Sequence, residues 1–288
     1  MKKKKSSIIT TIVMVFIFLL GLAIMLYPTV SDWWNTRVQS RAIATYQQTA
    51  NALSDDEYNR ILVAASDYNS RLADIREPLF NYGEVSGYTE TLDVSGTGIM
   101  GYISIPVIGI ELPIYHGTSD EVLNIAVGHL EGSSLPVGES GTHSVVMAHR
   151  GLPSAKLFSD LDELVKGDTF TITILNETLT YEVEDIFIIL PHEYEKLEII
   201  DGKDYVTLMT CTPYGVNSHR LLVRGVRIDT VEEEIVVKLK VPADATQVDP
   251  MIVVPIIAVP LVMILIIMWS FGGKKKKKPV IPNDIYEI

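Results

Sequence analysis

The chain has 288 residues and 36 acidic against 24 basic side chains, a formal charge of −12, which argues against nucleic acid as a partner. Its single cysteine, Cys211, rules out a disulfide framework and any paired-cysteine metal site. No H-x-x-x-H spacing occurs among the six histidines, so neither a metal nor a cofactor is expected.

In chain order, a basic end (residues 1–7, with Lys2 to Lys5) precedes an apolar run over 8–27. About 20 apolar residues in a helix match a hydrocarbon core of ~30 Å. The run is too long for a secretory leader and lacks a small-x-small cleavage site, so it reads as an uncleaved anchor. Residues 28–98 follow as a helical region: one helix from Asp32 to Leu53 that continues from the membrane, then a second announced by Ser54 and Glu57 at capping-box spacing. Pro78 and Gly83 end that pattern, and a long loop to Gly98 follows.

From Ile99 the signal changes to short alternating runs separated by turn residues. Strands are expected over 99–105, 110–115, 144–149, 169–175, 179–190, 205–210 and 221–228, with short helices over 120–126 and 159–164. Many short strands with few helices indicate a mainly β fold, a closed or nearly closed barrel over 99–232. A tether (233–250), a second apolar run (251–271) and a lysine-led tail (272–288) complete the chain. Lysines outside both runs predict cytoplasmic termini and an extracellular middle. With nine lysines in those flanks and Asp284 and Glu287 in the tail, the middle carries 15 basic and 34 acidic residues, a formal −19. A cationic substrate is compatible with that charge, though acidic surfaces also serve solubility alone.

Cys211 closes the alternating run from Asp204, where the sheet holds a side chain at its rim. A lone thiol outside the cell is either a buried small hydrophobe or a reactive group. After an eight-residue loop, Arg220 starts the next run, and a hairpin brings it back beside Cys211. A guanidinium there suits lowering the thiol pKa, holding a carbonyl or stabilising an oxyanion. His149 ends its own run and is the residue type that pairs with a cysteine in acid–base work. A lone histidine at a strand end is more often structural, and His116, His129, His143, His192 and His219 are rivals that spacing does not rank.

The segment Thr207-Leu208-Met209-Thr210-Cys211 resembles the T-L-x-T-C signature of the sortases. The runs HRGLPSAKLF (149–158), GHLEGSSLPVG (128–138) and CTPYGVNSHR (211–220) are similar to class C, the pilin-polymerising branch, as is the two-span layout. The resemblance implies an eight-stranded sortase-type β-barrel with short helices, catalytic His149, Cys211 and Arg220, and Thr210 at the substrate. It implies that Cys211 attacks the Thr–Gly carbonyl of an LPXTG-like sorting signal on a pilin or surface protein, and that an amine, in this branch a pilin lysine, resolves the acyl-enzyme.

Similar enzymes carry a lid with an Asp-Pro-aromatic motif. The matching place is 76–82, where Glu77-Pro78-Leu79 followed by Phe80 departs from the pattern. Glu77 would then pair with Arg220, and Leu79 or Phe80 would cap the thiol. Two other readings stand beside this one: a sortase that attaches proteins to peptidoglycan, and a non-enzymatic surface adhesin or scaffold. A papain-like protease fits less well, because that fold places its cysteine at a helix start.

Overall fold

The computed structural model describes residues 2–230, with side chains from Ile9 onward. The expected tether, second span and tail lie outside the described residues. The anchor and the first stalk helix form one helix, α1 (Lys2–Asn51), with Pro28 inside it. The stalk helix thus continues from the apolar run, as expected. The apolar part of α1 is the one helix among the described residues long and apolar enough to cross a membrane. Phe16, Ile17 and Ile24 there are more than half exposed, an apolar surface that suits lipid better than water.

The described chain divides after Leu26, and a compact unit begins at Tyr27. Within it, α1 buries Ile43, Tyr46 and Ala50. The Tyr46 hydroxyl donates to the Met100 carbonyl (2.8 Å) and accepts from the Leu175 N–H (2.8 Å), so this buried phenol satisfies two backbone groups. Helix α2 (Asp55–Ala73) begins with the capping box read from Ser54 and Glu57. It seats on the barrel through Asn69, whose amide donates to Leu135 O and accepts from Leu135 N.

The short helix α3 (Pro78–Asn81) follows. The segment from Val85 to Gly98 is irregular but packed, with Val85 and Leu92 buried and Asp93 accepting from the Thr97 and Gly98 N–H groups.

Eight strands then close a barrel: β1 (Ile99–Ile105), β2 (Ile110–His116), β3 (Val127–His129), β4 (Thr142–Met147), β5 (Thr169–Ile174), β6 (Glu177–Ile189), β7 (Asp204–Thr212) and β8 (His219–Ile228). Helix α4 (Asp120–Leu123) lies between β2 and β3. Around the barrel the order is β1-β2-β3-β4-β7-β8-β6-β5, with β5 returning to β1. Only β2–β3 and β4–β7 run parallel. Closure leaves no long unpaired edge to template aggregation.

Seven of these strands lie where alternation placed them. Two details differ. Strand β3, three residues long, has no alternation to read. Strand β4 ends at Met147, so His149 lies two residues beyond it instead of at its last position.

Alternation along the strands separates two apolar layers. Val146, Val206, Leu208, Leu221 and Val223 join the barrel interior with Ile103, Phe170, Ile172 and Tyr181. Val145, Met209 and Leu222 point the other way and, with Ile189 and Leu197, form a smaller outer cluster. Leu79 of α3, Leu130 and Met147 pack against that cluster.

Candidate active site

Register brings the expected site residues together. In β7 and β8, Cys211 sits opposite Arg220, and Arg220 is in turn opposite Ile189 of β6. In the parallel β4–β7 pair, Met147 is level with Met209. The same offset holds past the end of β4: Thr210 Oγ1 donates to Ala148 O (2.8 Å), and Arg150 Nη1 donates to Thr212 Oγ1 (3.4 Å), both across 62 positions. His149, between those two anchors, is therefore level with Cys211. One row across three neighbouring chain segments holds imidazole, thiol and guanidinium.

Face follows from parity. Cys211 shares the outer face of β7 with Met209, and Arg220 shares that of β8 with Leu222. Thr210 points inward, buried, its hydroxyl spent on Ala148. It braces the strand instead of presenting a free group.

Cys211 is a half-buried free thiol, and His149 and Arg220 are also half-buried. Arg220 Nη1 donates to the carbonyls of Asn217 (3.3 Å) and His219 (3.2 Å). Its Nε and Nη2 have no hydrogen-bond partner among the described residues, which leaves donors for a ligand.

Arg220 also lines a cavity of about 360 Å³ floored by Met147, Ile189, Leu197 and Met209 and bounded by Leu79 and Phe80. Arg220 is thus a polar group on the wall of a mainly apolar groove on the outside of the barrel. Such a surface suits an extended peptide that places one polar bond beside that group.

Environment sorts the six histidines. His143 is buried, with Nδ1 2.8 Å from Glu198 O and Nε2 2.8 Å from Thr207 Oγ1. His129 is buried, with Nδ1 2.9 Å from the Tyr88 hydroxyl and Nε2 2.9 Å from Ser134 O. Burial pushes each imidazole down to about 4, so both are neutral, structural groups at neutral pH. The His116 ring nitrogens meet the Gly98 and Thr91 carbonyls. His219 Nδ1 meets Ser218 Oγ, and His192 is exposed. The ring of His149 has no hydrogen-bond partner among the described residues.

Helix α3 stands over the groove. Leu79 packs on the outer cluster, and the Phe80 ring meets Tyr194 edge-on with centroids 4.5 Å apart. Glu77 takes a left-handed backbone (φ 54°) as the N-cap of α3. It is exposed and forms no ion pair among the described residues; Arg220, its expected partner, binds backbone carbonyls instead. A carboxylate one methylene longer than Asp, set on a left-handed residue, is not held toward the guanidinium here.

Sequence reasoning missed Arg150 and its partners Thr212 and Asp162. Only the adjacency of Arg150 to His149 pointed to it.

Comparison with known proteins agrees with this fold. The Sortase domain model matches residues 103–228. Sortase A of Bacillus anthracis is 30% identical over 132 residues, covering 46% of this chain and 61% of that protein. Sortase D of Bacillus subtilis (strain 168) is 30% identical over 131 residues, covering 44% and 63%. The chain thus spans less than two thirds of these relatives.

Solved structures match more fully. Sortase C1 from Streptococcus agalactiae is 49% identical, with 65% of this chain and 98% of that one covered and a TM-score of 0.59. A pilus-related sortase C of Group B Streptococcus is 43% identical (65% and 97%, TM-score 0.59). Sortase C-1 from Streptococcus pneumoniae is 40% identical (66% and 100%, TM-score 0.60). With a sortase barrel, a sortase-domain match over seven of its strands and near-complete coverage of these structures, the chain belongs to the sortase family, in its class C branch.

Proposed function

We propose that this sortase is a membrane-anchored cysteine transpeptidase that cleaves an LPXTG-like sorting signal and joins the acyl part to an amine, a lysine of the next pilin. The observation that carries the reading is the register that sets Cys211 opposite Arg220, itself on the wall of the apolar groove, with His149 on the neighbouring segment. The Cys211 thiolate attacks the Thr–Gly carbonyl carbon. The C–N bond breaks, His149 gives its proton to the departing glycine amine, and a thioester remains. The acceptor amine then attacks that thioester, loses its proton to His149 and releases the thiolate. Through both steps the free donors of Arg220 stabilise the carbonyl oxygen as it gains charge.

The acidic surface suits a lysine-bearing acceptor, and water must be kept from the thioester until that amine arrives. Lysines before the apolar part of α1, and exposed Trp33 and Trp34 beyond it, support a cytoplasmic N-terminus with the barrel outside. A second span over 251–271 would return the chain to the cytoplasm.

The test uses the full chain in detergent with a fluorescent LPXTG-type peptide. A covalent adduct on Cys211 is expected by mass spectrometry, and none in Cys211→Ala. Failure to trap an adduct, or equal trapping in the variant, overturns the reading. Adding a lysine-bearing pilin or a peptidoglycan-type amine to the trapped adduct then identifies the acceptor.

A lid role for 76–82 makes a separate prediction. A Cβ on Gly132 would lie 2.6 Å from Pro78 O and 2.7 Å from Leu79 Cα, both backbone atoms that cannot rotate away. Overpacking costs about 1–3 kcal/mol. Gly132 also has φ 84°, a strain that an open lid does not relieve, so only the clash with Pro78 and Leu79 acts on the lid, raising its open fraction by up to about 5- to 150-fold. Gly132→Ala is therefore expected to speed peptide acylation of Cys211; an unchanged rate removes the lid from the mechanism.

A further inference from the structure

We propose that Arg150 is a positioning residue for the acylation step, holding His149 level with Cys211 where the β-ladder has already ended. The inference rests on the His149–Cys211 chemistry proposed above. The β4–β7 ladder stops at Met147 and Met209. Beyond it the Ala148 N–H still reaches Met209 O at 3.3 Å, but the only backbone bond of His149 among the described residues is its carbonyl accepting from Phe158 N (3.2 Å). A general acid needs its proton placed to within a fraction of an ångström, and this segment lacks the ladder that would do it.

Arg150 supplies the missing tie. Its side chain is 10% exposed. Nη1 donates to Thr212 Oγ1, on the residue directly after Cys211, and Nη2 to Asp162 Oδ2 at 2.5 Å. The guanidinium carbon stands 5.9 Å from the centroid of the Tyr214 ring, in the loop after β7. Gly151 fits beneath the same ring: its φ is 77°, and a Cβ there would lie 2.8 Å from Tyr214 Cε2. The Gly151 N–H donates to Ser159 Oγ at 3.1 Å. One rigid fork thus bridges the residue after His149, the residue after Cys211 and the turn at 161–163.

Stability alone is a poor reason for this arrangement. Taking a guanidinium out of water is costly, and a well-packed apolar side chain in its place is often neutral or stabilising. Its one carboxylate, Asp162, is half exposed, and the Arg150 Nε is buried without a partner. What an apolar side chain does not provide is a fork with fixed directions to two anchors.

The experiment measures kcat and KM for acylation of the full chain in detergent by an LPXTG-type peptide. Displacement of His149 by about 1 Å predicts that Arg150→Ala lowers kcat about 10- to 100-fold with KM within about 3-fold. Arg150→Lys stays close to the alanine variant, because an ammonium does not span Thr212 and Asp162 together. In a His149→Ala background, Arg150→Ala causes no further loss, since the group it positions is gone.

An equal loss in both backgrounds, or a rise in KM alone, overturns the proposal. Should Arg150→Ala lose its folded circular-dichroism signal, Asp162→Asn decides in the same cycle: about 3- to 10-fold lower kcat with His149 present and none with it absent supports the role, and an unchanged or background-independent rate overturns it. Failure of the underlying mechanism shows separately, as no Cys211 adduct in the unaltered chain.

Discussion

Replacing His149 by Ala is expected to slow acylation of Cys211 by roughly 10²- to 10⁴-fold, the usual contribution of a placed general acid. The expectation follows from register: the offset that pairs Met147 with Met209 carries His149 to the level of Cys211. Arg220→Ala is expected to cost about 10²- to 10³-fold, as loss of an oxyanion donor does. Arg220→Lys should recover little, because a point charge does not reproduce the planar fork. The measurement is single-turnover adduct formation with the sorting-signal peptide. His192→Ala and His219→Ala serve as controls, since both residues lie on or near the surface without a level thiol. A His149→Ala rate within a few-fold of the unaltered chain, or a large loss in either control, would reassign the acid.

The second large effect is acid lability. His129 and His143 are held neutral at about 4 by burial, against about 6.5 in an unfolded chain. A depressed histidine pKa means that below pH 6.5 the unfolded chain binds protons the folded chain refuses. Stability is therefore full above pH 6.5 and is lost as pH falls toward 4, by about 3 kcal/mol for each histidine over the whole window.

Asp204 works in the opposite direction. Burial raises its carboxyl to about 6, so the folded state gains stability as pH falls from 6 toward the ordinary carboxylate range. That carboxyl is only partly buried, so its gain is discounted for solvent screening. From pH 7 to pH 5 the net loss is expected to be about 3 kcal/mol, read as a lower urea midpoint. His143→Asn keeps a donor near the Nδ1 position and should remove about half of the pH dependence. Equal midpoints at pH 7 and pH 5 would show that these histidines are not buried neutral.

Fold and site were legible in the sequence to different depths. Strands β1, β2 and β5 to β8 were readable because each is long enough for apolar and polar positions to alternate. The three residues of β3 are not; a neighbour on each side, not their own pattern, makes them a strand. The capping box at Ser54 and Glu57 was readable because its parts lie three residues apart.

By itself, the sequence determined where Cys211 stands, at the end of an alternating run, and that Arg220 returns beside it, because a hairpin is a local object whose register follows from its loop. Spacing left six histidines open and only the resemblance of the run 149–158 singled out His149; what the tertiary structure alone adds is that this segment lies beside the end of β7. That strand is parallel and 62 positions away, and no spacing along a chain encodes which distant strand will be a segment's neighbour. The same holds for Arg150, whose meaning depends on Thr212, Asp162 and Tyr214 arriving from three other places. Periodicity is written residue by residue, whereas a candidate site is written across strands, and only closure of the barrel brings those strands side by side.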